Sequence, residues 1–136
     1  MNRAEQTYQQ SLTVDPNFYL AQTNLARLYA DHSGPLDEAL KLAQKAKAAQ
    51  PDDPNVNDAL GWIYYKDGLY RSAVPVLEAA VAKSPQVGRF QFHLGMVYLA
   101  SGQSAQARSN LRAALNLGLS AEDAHSAQEA LQKAGS

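Results

Sequence analysis

A step of 34 residues recurs along this chain and constrains its fold more than any other feature. Leu60-Gly61, Tyr64 and Gly68 return as Leu94-Gly95, Tyr98 and Gly102. Ala39, Ala73 and Ala107 keep the same step, as do Ala46, Ala80 and Ala114. Pro51 and Pro85 obey it too, but Pro16 precedes Pro51 by 35. Tyr29 is also one residue further from Ala39 than Tyr64 is from Ala73, so the extra residue lies in the turn around Ser33-Gly34-Pro35. Such a period means one supersecondary unit made several times, with neighbouring copies burying the face that a lone unit leaves wet.

Within each unit the apolar spacing is helical. Leu25, Leu28 and Tyr29, then Val56, Leu60, Ile63 and Tyr64, then Leu94, Val97 and Tyr98 fall at steps of three and four. Gly34-Pro35, Asp67-Gly68 and Ser101-Gly102 sit where glycine would end a first helix. Asp15-Pro16, Asp53-Pro54 and Ser84-Pro85 offer a capping oxygen followed by a proline suited to a first helical turn. These signals predict helices over 2–14, 17–32, 36–49, 54–67, 70–83, 87–101, 104–117 and 121–134, and no strand. Ala26, Gly61 and Gly95 share one place in the first helices, and Ala39, Ala73 and Ala107 share one in the second helices. Small residues at fixed places let paired helices approach to roughly 8–10 Å.

Composition removes several functions. Lys+Arg 12 against Asp+Glu 13 leaves a net charge of −1. The two signs are also mixed along the chain, so no basic footprint for nucleic acid exists. No apolar run approaches the roughly 20 residues of a membrane span. The chain has no cysteine, hence no disulfide or thiolate metal site, which fits either redox compartment. His32, His93 and His125 stand apart in sequence, without the HExxH spacing or paired carboxylates that would suggest a metal or hydrolytic site. Gly61 and Gly95 are helix-interior glycines rather than a phosphate-cradling loop. Nothing in the sequence calls for a cofactor or a catalytic group.

The repeated residues resemble the tetratricopeptide (TPR) repeat, a helix–turn–helix unit of 34 residues. Residues 54–87 carry the resemblance best, through Leu60-Gly61, Tyr64, Gly68, Tyr70, Ala73, Ala80 and Pro85. Residues 88–121 follow through Leu94-Gly95, Tyr98, Gly102, Ala107 and Ala114, with Ser104 in place of the turn aromatic and Leu119 in place of the closing proline. Residues 17–53 follow through Leu25, Ala26, Tyr29, Ala39, Ala46 and Pro51. The family's early tryptophan is replaced by Gln22, Asn57 and Gln91. The resemblance implies an all-α, right-handed superhelix of about three and a half repeats. One domain over 1–136 would hold a half repeat (1–16), three repeats (17–53, 54–87, 88–120) and a C-terminal capping helix (121–136), whose start at Ser120-Ala121-Glu122-Asp123 resembles a capping box.

The opening half repeat suggests the C-terminal piece of a longer protein. Ala4, Tyr8, Ser11 and Leu12 would give its helix an apolar side without a neighbour, so weak pairing with a second copy is expected there.

The resemblance also implies a concave groove along the first helices, used to hold a peptide or a helix of another protein. Helical steps place Trp62, Tyr65, Phe92 and Met96 at its aromatic middle. Arg27, Asn55, Asp58 and Arg89 would form its polar rim. Aromatics, methionine and arginine are enriched at interfaces. The competing reading packs Trp62, Phe92 and Met96 between neighbouring first helices. Thr23/Arg27, Asp58/Trp62 and Phe92/Met96 stand where some relatives carry a lysine-based clamp for a chain terminus, so that clamp is absent. Two roles remain: a non-catalytic scaffold or adaptor that binds a protein partner, and a spacer or self-assembly segment pairing through its repeat surfaces.

Overall fold

In the computed structural model, which describes residues 3–135, the described residues form eight helices and no strand. They are α1 (Arg3–Val14), α2 (Tyr19–Asp31), α3 (Leu36–Ala49), α4 (Pro54–Lys66), α5 (Tyr70–Lys83), α6 (Gly88–Ala100), α7 (Ser104–Leu117) and α8 (Ala121–Lys133). Each first helix pairs with the second helix of its unit: α2 with α3, α4 with α5, and α6 with α7. The first helices α2, α4, α6 and α8 also touch in succession, forming one layer, and α3, α5 and α7 back them. The alanines of the period, Ala39, Ala46, Ala73, Ala80, Ala107 and Ala114, are buried between the layers.

The expected helices agree with these spans to within two residues, and the differences have local causes. Pro16 and Pro85 do not open helices; α2 and α6 begin three residues later. Only Pro54 occupies a first helical turn, where Asp53 Oδ1 accepts from the Asn55 amide at 2.9 Å. At α8, Ser120 Oγ accepts from the Asp123 amide at 3.1 Å.

Each unit's internal turn is closed in the same way. The carbonyls of Tyr29, Tyr64 and Tyr98 accept from the amides of Gly34, Leu69 and Gln103 at 2.7, 2.8 and 2.8 Å. The residue before each donor is left-handed: Ser33 at φ 56°, Gly68 at 78° and Gly102 at 80°. In the first unit, therefore, the left-handed residue that follows the helix is Ser33 and not Gly34. Gly34 is glycine for a different reason, since a Cβ there would stand 2.9 Å from Tyr29 Cα.

The residues that replace the family tryptophan share one bond. The side-chain amides of Gln22, Asn57 and Gln91 donate to the carbonyls of Pro16, Pro51 and Pro85 at 2.8, 3.2 and 2.9 Å. All three amides are buried, and each ties its helix to the chain that enters it. Pro16, Pro51 and Pro85 therefore act through their carbonyls, holding the connection between units in one conformation.

Candidate partner-binding site

The first helices present their remaining face at steps set by the period. The eight residues expected there divide into three groups.

Tyr65 and Met96 are half-buried, while Trp62 is 5% exposed and Phe92 3%. The Trp62 ring stacks on Tyr65 (centroids 4.8 Å apart) and on His93 of the next first helix (3.9 Å). Its indole Nε1 donates to Asp31 Oδ1 at 2.9 Å, joining α4 to the end of α2. Most of this tryptophan is thus mortar between α2, α4 and α6, as the packing reading has it. What it still shows lines a hollow of about 280 Å³ together with Tyr65, Phe92, Met96 and the first turns of α8.

Asp58 does not lie on a polar rim. It is wholly buried, with Oδ1 at 2.7 Å from His93 Nδ1 and Oδ2 accepting from Arg89 Nε at 3.3 Å. A buried carboxylate survives only when such donors replace its water. His93, which the sequence offered as an isolated histidine, is buried in this network against Trp62.

Arg27, Asn55 and Arg89 form the third group and line a second hollow of about 250 Å³ with Leu20, Thr23 and Asn24. Arg89 reaches back to α4, donating from Nη2 to Asn55 Oδ1 at 3.0 Å. Arg27, half-buried, donates from Nη2 to Asn24 Oδ1 at 3.0 Å. Burial, then the nearby Arg89 charge, lowers its pKa, with Asp58 and Asp31 acting in the opposite sense.

Helix α8 extends the same surface. Adding 34 to Arg89, Phe92, Met96 and Leu99 gives Asp123, Ser126, Ala130 and Lys133. Asp123 and Ser126 line the aromatic hollow, and Ser126, Ala130 and Lys133 line an adjoining one of about 250 Å³ with Tyr65 and Met96. Helix α8 is therefore a fourth row of this face, a role present in the period itself.

Two models of the tetratricopeptide repeat match the chain, one over residues 1–63 and one over 59–124. The chain belongs to the tetratricopeptide repeat family. TPR repeat-containing protein PA4667 of Pseudomonas aeruginosa is 34% identical over 71 residues, which are 52% of this chain and 12% of that protein. The chain thus matches only a small part of that relative's length. The fold is similar to that of TTC0263, a thermophilic TPR protein of Thermus thermophilus, with a TM-score of 0.77 at 22% identity, covering 96% of this chain and 70% of the other. It is also similar to the Yersinia enterocolitica type III secretion chaperone SycD, solved with a peptide of the translocator YopD. There the TM-score is 0.69 at 23% identity, covering 84% of this chain and 89% of the other. No helix among the described residues is long and apolar enough to cross a membrane.

Proposed function

We propose that this TPR unit is a non-catalytic protein-binding module that holds a peptide or helix of a partner on its concave first-helix face. The observation that carries this reading is the row of open hollows along α2, α4, α6 and α8, two of which share the half-exposed Tyr65 and Met96. The aromatic hollow sets Trp62, Tyr65, Phe92 and Met96 beside polar side chains of α2, α4 and α8, among them Asp31, Lys66 and Asp123, a mixture that suits a short chain segment. The peptide bound by SycD, a protein of the same fold, supports the general role.

The variant Met96→Glu tests it. Met96 lines two of the hollows without being fully buried, so a carboxylate there should leave the melting temperature nearly unchanged. Peptides selected from a random library for binding to the chain should lose affinity for Met96→Glu. Selected peptides that bind the variant as well as the parent would show that they dock elsewhere.

A second reading rests on α1. Among the described residues it packs only on α2 and contains no buried residue, and Val14, Phe18 and Leu20 near its junction with α2 are exposed. That surface favours weak pairing between copies or with further chain. Light scattering over a concentration series, repeated with Tyr8→Glu, reads it out: a mass that never rises with concentration removes self-pairing.

A further inference from the structure

The two ends of the first-helix face differ in chemistry, and at one end a cation has no ion pair among the described residues. Arg27 is half-buried, yet no carboxylate of the described residues lies within ion-pair distance of its guanidinium. Among the described residues its hydrogen-bond acceptor is the neutral Asn24 amide. The acidic groups nearby are already engaged. Asp58 is committed to His93 and Arg89, Asp31 accepts from Trp62, and Asp53 caps α4. Arg89 lines the same hollow, so two guanidiniums face it with N–H groups to spare. An arginine stays protonated at any ordinary pH, and an anion within bonding distance would offset what its partial burial costs beyond the longer-range pull of Asp58 and Asp31.

We infer that Arg27 and Arg89 form a subsite for an acidic side chain of the partner segment. The inference rests on the groove reading and adds a sequence requirement to it. A carboxylate between the two guanidiniums would relieve their repulsion and accept their unused N–H groups, in the planar geometry that arginine favours. The aromatic hollow lies further along the same helices: Arg89 and Met96 are seven residues apart on α6, a rise of about 10 Å. An extended chain covers that distance in about three residues. The fitting segment therefore carries Asp or Glu about three residues from an aromatic or large aliphatic side chain.

Selection from two random peptide libraries against the whole chain tests this, one with blocked C-termini and one with free C-termini. The blocked library should yield peptides with an acidic residue at that spacing from an apolar one. Replacing the acid by its amide in a selected peptide should weaken binding to the parent about tenfold, and raising the salt concentration should do likewise. The same replacement should have a clearly smaller effect on binding to Arg27→Gln, where Arg89 alone remains. Arg27→Lys should recover part of the difference, which a merely unfolded variant would not. Peptides sensitive to Met96→Glu but without acidic enrichment, or with enrichment that Arg27→Gln leaves intact, would overturn the subsite and keep the groove. Acidic dependence confined to free C-termini would assign the subsite to a chain terminus and overturn the side-chain assignment. Peptides indifferent to both variants, or no binders at all, would overturn the groove and the subsite together.

Discussion

Gly61 on α4 and Leu77 on α5 are packed so closely that a Cβ on the glycine would stand 2.4 Å from the leucine Cγ. Gly95 and Leu111 repeat the pair one unit later, at 2.8 Å. In the first unit the matching places hold Ala26 and Ala43, both buried. The second-helix leucine has become an alanine where the first-helix glycine has become one. Volume is traded across the contact, and the helices of all three units can pair in the same way.

This trade can be measured. Gly61→Ala should destabilise the chain by about 1–3 kcal/mol, because overpacking outweighs the helix-propensity gain. In a Leu77→Ala background the same change should become neutral or stabilising by up to about 1 kcal/mol. Urea denaturation of the four proteins gives the coupling. Strictly additive effects would show that the two residues do not share one space.

Ser33 has the left-handed backbone that glycine has at Gly68 and Gly102. A residue with a Cβ is held there at a cost of about 1 kcal/mol. Ser33→Gly should therefore raise stability by about that amount, read as a higher urea midpoint. Gly34→Ala next to it should lower the midpoint, since its Cβ has no room against Tyr29.

Trp62→Ala should cost about 3–5 kcal/mol of stability, the range for emptying a buried aromatic site. Trp62→Phe keeps a ring beside His93 but loses the bond to Asp31, and should cost about 1 kcal/mol. Thermal melts followed by circular dichroism distinguish these. An alanine variant as stable as the parent would mean the indole is not packed between α2, α4 and α6.

Removing the buried carboxylate should be as damaging. Asp58→Ala takes the acceptor from His93 and leaves Arg89 with Asn55 alone, and breaking such a network typically costs about 3–5 kcal/mol. Asn55→Ala, at the exposed end of the same Arg89 contact, should cost well under 1 kcal/mol. Equal effects in urea denaturation would contradict this ordering.

Tyr98 gives a prediction in alkali. Burial and its hydrogen bond to Glu78 push its phenol up to about 12. The folded state then holds this proton more tightly than the unfolded chain, whose phenol titrates near 10. The stabilisation is complete below about pH 10 and is lost as the pH rises towards about 12. Ultraviolet titration should show one phenol ionising at the alkaline end of the seven tyrosines, absent in Tyr98→Phe.

How much of this was legible beforehand depended on what each feature requires. Gly68, Gly102 and the periodic alanines mark the helices because turns and apolar faces are local properties of the chain, and a repeated unit states them three times. Ser33 could be misread, since one inserted residue let Gly34 stand as the plausible helix end. The row Asp123, Ser126, Ala130 and Lys133 was present as arithmetic, but its polar residues read equally well as the outside of a cap. The depth of Asp58, Trp62 and His93 was not legible at all. A helical step places Asp58 and Met96 on the same kind of face, whichever helix comes next. Only the distance between α4 and α6 decides which of them is sealed and which is left open. That distance is set by side chains 31 and 35 positions apart, Asp58 with Arg89 and Asp58 with His93. The sequence by itself therefore determined the helices, their pairing and the face that the first helices turn away from the second. Tertiary structure alone decided what that face still exposes, because burial is a property of neighbours brought together by folding and not of spacing along the chain.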